Sequence, residues 1–217
     1  MLIKWYGQAC FYIETENGIK ILTDPYEGSL GYRLPAENAD IITVSHNHFD
    51  HSATDTVTGN PQIFDSVGKF NCKEVQLKVI KTWHDKVNGK KRGPNRVVKI
   101  MADNINFVHM GDIGHKLDRK QVHAVCPCDI CAVPVGGYYT VDAVTAFKIV
   151  KQLKPKLVIP MHYFTPKNRL ELEGAGNFTK RFMEVKKKKV WSGSRKDLPR
   201  HTAACQLTAH GELDLER

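Results

Sequence analysis

The stretch Ile41-Ile-Thr-Val-Ser-His46-Asn-His48-Phe-Asp50-His51 runs an apolar strand straight into three imidazoles and a carboxylate. Imidazole and carboxylate are the usual ligands of borderline divalent metals such as zinc. Four such groups leaving one strand end cannot all be core residues, because desolvating them unpaired is costly. The pattern recurs along the chain. Ile19-Lys-Ile-Leu-Thr-Asp24 ends a predicted strand in a carboxylate, and Val79-Ile-Lys-Thr-Trp-His84 ends one in a histidine. Ile105-Asn-Phe-Val-His-Met-Gly-Asp112 ends near a carboxylate, and Leu157-Val-Ile-Pro-Met-His162 ends in a histidine. Open α/β sheets place their sites at the carboxyl ends of strands. The five strand ends therefore predict one convergent site, and their ligands are too many for a single tetrahedral ion, so two metals are expected.

The elements that must carry these residues are short Val- and Ile-rich runs, which read as strands. They are Leu2–Tyr6, Phe11–Glu14, Ile19–Thr23, Ile41–Ser45, Val79–Trp83, Val97–Met101, Ile105–His109, Ile130–Pro134 and Leu157–Pro160. Asn17-Gly18 marks a tight turn, so the N-terminus reads as an antiparallel meander. Val141–Leu153 has helical periodicity, with Thr140 as its N-cap and Pro155 as its stop. Ser52–Val57 and Asn177–Val185 are shorter helical candidates. The run Lys186–Lys189 reads as a solvated helix end, where cations favour the dipole. Strands with helices between them in the second half predict a layered α/β architecture.

The 217 residues are read as one domain spanning 1–217, with 198–217 left as an unplaced tail. Hydrophobic residues at 41% and charged residues at 25% are ordinary globular values, and no apolar run approaches the ~18 residues of a membrane span. The N-terminus alternates like a strand and lacks a signal-peptide core, so a cytoplasmic protein is expected. Lys and Arg exceed Asp and Glu by 32 − 23 = 9 charges, which points weakly to an anionic partner. Six cysteines without a secretory signal argue for thiols or metal ligands rather than disulfides.

The ordered set His46-x-His48-x-Asp50-His51, Asp24 upstream and His84, Asp112 and His162 downstream resembles the metallo-β-lactamase superfamily, from the opening meander to about Tyr163. His84-Asp85, Gly89-Lys-Lys-Arg92-Gly-Pro-Asn95, His109-Met-Gly-Asp112-Ile-Gly-His115 and Pro134-Val-Gly-Gly137-Tyr-Tyr-Thr140 resemble its branch of small hydrolases that includes L-ascorbate-6-phosphate lactonase. The resemblance implies a four-layer αββα sandwich with a dinuclear site at one edge. It implies that His46, His48 and His84 bind one metal, that Asp50, His51 and His162 bind the other, and that Asp112 bridges them. Asp24 would support the ligand loop from behind, where a ligating imidazole needs its other nitrogen held. Gln8-Ala-Cys10 departs from the family's stretch near the first strand turn and bears on a supporting contact only.

On that reading the cofactors are two divalent ions, zinc first, with manganese or iron as alternatives. A hydroxide between them would attack a lactone or phosphodiester of a small anionic substrate, with Asp50 orienting it. His115 is the candidate general acid, against a metal-bound water or a capping role. Lys90, Lys91 and Arg92 form a basic loop expected to be mobile, and Arg92 and Asn95 are the expected substrate contacts. His109 is expected to be a packed core residue. Cys126-Pro-Cys128-Asp-Ile-Cys131 admits a structural zinc with His123 or Cys72, a redox pair, or buried thiols acting as small hydrophobes, of which the last is preferred. A nuclease, a di-iron oxygen or nitric oxide reductase, and a non-catalytic metal-binding module are the competing readings. Nucleic acid is the less favoured partner, and a homo-oligomer is compatible with the sequence.

Overall fold

Alternating apolar residues at the N-terminus fold into a meander of β1 (Leu2–Gly7), β2 (Cys10–Glu14) and β3 (Lys20–Thr23), and the tight turn before β3 is closed by Gly18 N–H donating to Thr15 O at 3.0 Å. The computed structural model describes residues 1–32, 34 and 38–210. The chain continues through β4 (Asn38–Thr43), β5 (Thr58–Phe64), β6 (Gly68–Cys72), β7 (Val75–Trp83), β8 (Pro94–Ala102) and β9 (Ile105–His109). Helix α1 (Arg119–Val125) leads to β10 (Ile130–Pro134), α2 (Ala143–Leu153) to β11 (Leu157–Met161), and α3 (Gly176–Thr179) to β12 (Val185–Lys188), β13 (Val190–Ser192) and β14 (Ala203–Leu207).

These strands form two sheets. One has the order β13-β1-β2-β3-β4-β5, and the other β12-β14-β11-β10-β9-β8-β7-β6. They meet face to face: Phe11 of β2 packs edge-on against Phe107 of β9 with centroids 5.9 Å apart, and Phe64 of β5 lies 5.1 Å from Phe70 of β6. Phe11 and Phe107 are fully buried. Helices α1 and α2 pack on β7 and β10 of the second sheet. The result is an α/β sandwich. Among the described residues, the connections of β3–β4 and β4–β5 contain single 3-10 turns, Gly28–Leu30 and Thr54–Thr56, and no α-helix. No described helix is long and apolar enough to cross a membrane.

Strand direction explains why the chemistry gathers. Strands β3 and β4 are parallel. Strand β7 is antiparallel to β8 and β8 to β9, so β7 and β9 run the same way, and β9, β10 and β11 are parallel. The carboxyl ends of β7, β9 and β11 therefore share one edge of their sheet.

Several expectations are corrected. Ser52–Val57 is a 3-10 turn at Thr54–Thr56, and Asn177–Val185 is a one-turn helix at Gly176–Thr179. Lys186–Lys188 belong to an exposed edge strand, β12, paired with β14. Pairing with β14 makes them a strand, and lysines on an open edge discourage pairing with another chain. The N-cap of α2 is Asp142, which accepts from Thr145 N–H at 2.7 Å, while Thr140 Oγ1 donates to Val141 O. In the C-terminal segment, Ala203–Leu207 forms β14 between β11 and β12, and residues 211–217 lie outside the described residues.

Phe107→Ala is expected to lower the unfolding free energy by about 3–5 kcal/mol in denaturant titration, because it opens a cavity between the sheets. A loss under about 1 kcal/mol would place the core elsewhere.

Candidate metal centre

The strand ends deliver their side chains to one edge. One donor atom from each of His46, His48 and His84 lies within 4.8 Å of the others, and the same holds for Asp50, His51, Asp112 and His162. Asp112 Oδ2 stands 3.2 Å from His51 Nε2, 3.2 Å from His84 Nε2, 3.1 Å from His162 Nε2 and 3.9 Å from His46 Nε2. His46 Nε2 and His48 Nδ1 are 3.0 Å apart, and Asp50 Oδ2 is 3.3 Å from His51 Nε2. All seven are buried except His48, which is partly exposed.

Asp24 supports both groups from behind. Its carboxylate accepts from Ser45 N–H at 2.7 Å and from Ser45 Oγ at 2.5 Å. Ser45 Oγ, having spent its proton on Asp24, accepts from His46 Nδ1 at 2.9 Å. His51 Nδ1 donates to Asp24 Oδ2 at 2.8 Å. Both imidazoles therefore carry a proton on Nδ1 and turn Nε2, the nitrogen that would ligate a metal, to the cluster. Gln8 does the same for Asp50: its Nε2 donates to Asp50 Oδ2 at 2.8 Å, and Asn168 Nδ2 fixes the other end at Gln8 Oε1, 2.9 Å away. Gln8, Asp24 and His162 all adopt positive φ, at 51°, 42° and 50°. Non-glycine residues in that region carry strain of about 1–3 kcal/mol each, and such strain clusters at functional sites.

Glycines let the loops close. A Cβ on Gly111 would stand 2.4 Å from Asn95 Oδ1, and one on Gly136 would stand 2.4 Å from His162 O.

The donor set fits divalent cations. His51 Nε2, both nitrogens of His162, His84 Nδ1 and Asp112 Oδ1 are buried without a hydrogen-bond partner. Three buried carboxylates, Asp24, Asp50 and Asp112, concentrate negative charge there. Burial alone would push the Asp112 carboxyl up, but His162 and His51 beside it hold it well below the usual range. Burial likewise opposes ionisation of Asp50, and the neighbouring His51 reverses the balance. Burial, helped by the nearby His51, pulls His46 down to about 3, so its imidazole stands neutral and ready to ligate.

A cleft of about 330 Å³ opens beside His84, lined in part by Lys86, Lys91, Arg92, Tyr138 and Tyr139. The Arg92 guanidinium lies 4.8 Å over the Tyr139 ring. The basic loop, expected to be mobile, is instead tied down. Asp85 Oδ1 accepts from the N–H groups of Val87 and Gly89 at 2.8 Å, and Oδ2 from those of Lys91 and Arg92 at 2.9 Å. These four bonds outweigh burial and lower the Asp85 carboxyl to about 2. The sequence shows Asp85 only as part of the His84-Asp85 stretch, yet a carboxylate opening a Gly- and Lys-rich loop is a recognisable anchor.

Two expected site residues are placed differently. Asn95 is fully buried: its Nδ2 donates to Thr82 Oγ1 and Met110 O, and its Oδ1 accepts from Asp112 N–H at 2.9 Å. It positions Asp112 and does not face a substrate. His115 has both nitrogens committed to backbone, Nε2 accepting from Trp83 N–H at 3.1 Å and Nδ1 donating to Lys116 O at 2.7 Å. That removes it as a general acid. His109 packs edge-on against Phe11 and lies 2.8 Å from Ala9 O through Nε2, a core role. The six cysteines are free, and no metal-capable group among the described residues includes one.

Comparison with known proteins agrees with this geometry. Residues 2–162 match the family model described as a beta-lactamase superfamily domain. A Thermotoga maritima structure of the metallo-beta-lactamase superfamily is similar at 31% identity and TM-score 0.81, over 95% of this chain and 99% of that one. The chain belongs to the metallo-β-lactamase superfamily. A UPF0173 metal-dependent hydrolase of Thermoplasma volcanium is 32% identical over 189 residues, 75% of this chain and 83% of the relative. Igni18, a metallo hydrolase of Ignicoccus hospitalis, shares the fold at 19% identity and TM-score 0.62, over 83% of this chain and 89% of that one.

Asp24→Asn keeps a residue type that tolerates positive φ while removing the charged acceptor that orients His46 and His51. Metal affinity, measured by competition with a chromogenic chelator, is expected to fall about 10- to 100-fold. Unchanged affinity would show that Asp24 does not orient the ligands.

Proposed function

We propose that this protein is a metal-dependent hydrolase that cleaves an ester-type bond, a lactone or a phosphodiester, in a small anionic substrate at a two-metal centre. Superfamily membership and the likeness to the Thermoplasma hydrolase support the reaction class. The observation that carries the dinuclear reading is the pair of donor groups meeting at the single carboxylate of Asp112. His46, His48 and His84 would hold one cation, and Asp50, His51 and His162 the other, with Asp112 facing both. Nitrogen and carboxylate donors together favour zinc, with manganese or iron as alternatives. Bound there, the two cations lower the pKa of a water toward neutrality, supply hydroxide as nucleophile and polarise the scissile oxygen.

The chain's own residues do the rest. Asp50, ionised and steered by Gln8, accepts a hydrogen bond from the attacking group and aligns it. With His115 engaged by backbone, Asp50 would take the proton of the attacking group as the new bond forms and pass that same proton to the leaving oxygen as the scissile bond breaks. Arg92, braced on Tyr139 and on a loop wound around Asp85, presents its guanidinium in the cleft beside His84, where it suits a carboxylate or phosphate.

A screen of phosphodiesters, phosphorylated lactones, thioesters and nucleic acids with zinc, manganese or iron added back tests this reading. At least one small anionic ester should turn over, and His48→Ala should reduce the rate to background. Turnover unaffected by His48→Ala, or confined to nucleic acid, would overturn it. Arg92→Lys is expected to raise KM about tenfold with kcat nearly unchanged, since a lysine there keeps the charge and loses the bidentate grip.

A further inference from the structure

Lys69, Lys78 and Lys99 stand side by side on three adjacent strands. Lys69 of β6 is in register with Lys78 of β7, and Lys78 with Lys99 of β8. Their neighbour Phe70 on β6 points toward the first sheet, where it meets Phe64. Phe107, one register step from the Lys99 row, likewise meets Phe11. Alternation along a strand therefore turns all three lysines to the opposite, outer face of the sheet. Directly opposed like charges, with Cβ atoms roughly 5 Å apart, destabilise a sheet.

No ion pair among the described residues offsets this repulsion. None of the three ammoniums forms an ion pair or a side-chain hydrogen bond with another described residue. Asp129, the acid that acts on Lys99, is already engaged by Asn106 at Oδ2 and by Arg195 at Oδ1. The thiols of Cys126 and Cys128 lie near Lys99 as well. The hydrogen bond with Cys131 and burial raise Cys128, and burial raises Cys126, so neither supplies a negative charge. Lys99 is the innermost of the three at 5% exposure, Lys78 is half-buried and Lys69 exposed. Together they line a cleft of about 360 Å³ with the amides of Asn71 and Gln76, themselves a register pair on the same face. Lys99 buries its stem and, with no ion pair of its own, adjoins Lys78 and then Lys69 along this cleft, a row of cations that an anion would neutralise.

We propose that Lys69, Lys78 and Lys99 form a binding site for a phosphate-bearing ligand on the outer face of the eight-stranded sheet, separate from the metal centre. Lys99 lies four residues along β8 from Asn95, which touches the Asp112 loop, or about 13 Å at roughly 3.3 Å per residue. Lysine binds phosphate as a point charge without demanding bidentate geometry, so three ammoniums converging from one side suit a group bearing two or more negative charges. Asn71 and Gln76 add neutral donors for its remaining oxygens. The phosphate can belong to a free small molecule or to a nucleic-acid strand laid across the sheet.

Site-resolved lysine acetylation of the metal-loaded protein tests the proposal, because it reads this cleft independently of any phosphate bound at the metals. Inorganic phosphate and, separately, a short single-stranded oligonucleotide are the probes, with peptide mass spectrometry as the readout. At saturation, Lys69 and Lys78 should be acetylated about tenfold more slowly, the factor a contact of about 1.4 kcal/mol supplies, while exposed Lys120 and Lys196 are unaffected. Protection by phosphate assigns the site to small phosphates, and protection by the oligonucleotide alone assigns it to a nucleic-acid backbone. Lys99→Met should abolish the protection and, without phosphate, melt no lower than the native protein, since it removes an uncompensated buried charge. Lys78→Gln gives the same readout from a half-buried position should Lys99→Met fail to fold. Equal acetylation with and without both probes, or protection that persists in these variants, would overturn the proposal.

Discussion

Asp112 brings one carboxylate oxygen to within 3.2 Å of imidazole nitrogens from three separate loops, those of His51, His84 and His162. Nothing in an apolar core would tolerate that gathering. Each buried nitrogen that lacks a partner forfeits its hydration, and each buried carboxylate needs a compensating positive charge. Divalent cations satisfy both demands at once, since they take the imidazole lone pairs and neutralise the carboxylates. The rest of the structure serves to hold this arrangement: parallel strand ends aim the ligands, and Asn95 fixes the Asp112 backbone. Asp24 and Gln8 set the orientation of His46, His51 and Asp50 from outside.

The fold carries local strain to do so. Gln8, Asp24 and His162 take left-handed backbone conformations beside the site, and His162 N–H donates to Gln8 O at 2.9 Å, joining two of them directly. Such conformations persist only where surrounding contacts over-determine them. Here those contacts are hydrogen bonds: Gln8 is tied to Asp50, Asn168 and the Trp5 indole, and Asp24 to Ser45 and His51. Hydrogen bonding likewise ties down the loop at the cleft beside His84, where four backbone N–H groups, that of Arg92 among them, converge on Asp85.

What was legible in the sequence follows from what leaves a local pattern. A buried parallel strand reads as a short apolar run, and a ligand at its carboxyl end reads as a polar residue where the run stops. His46, His84, Asp112 and His162 announce themselves in this way. Roles that depend on which neighbour a side chain meets leave no such mark. Asn95 and His115 sit in stretches rich in candidate site residues, yet both are spent on hydrogen bonds to partners distant in sequence. Edge strands are hard to read for a related reason. Strand β12 is exposed throughout and almost entirely lysine, so it lacks the apolar alternation that marks a strand. Strand β5 carries Gly59 and Pro61 and is largely exposed, and its assignment comes from pairing with β4. The lysine row across β6, β7 and β8 becomes visible only once the register is known, because its members are nine and twenty-one residues apart.

The central claim is that the seven strand-end ligands make one site for two cations meeting at Asp112. Native mass spectrometry of the protein after zinc loading and removal of excess metal tests it most directly. The account predicts a dominant species carrying two zinc ions per chain, reduced to one or none by Asp112→Ala. A native protein that holds a single ion, or retains two after loss of Asp112, would contradict it.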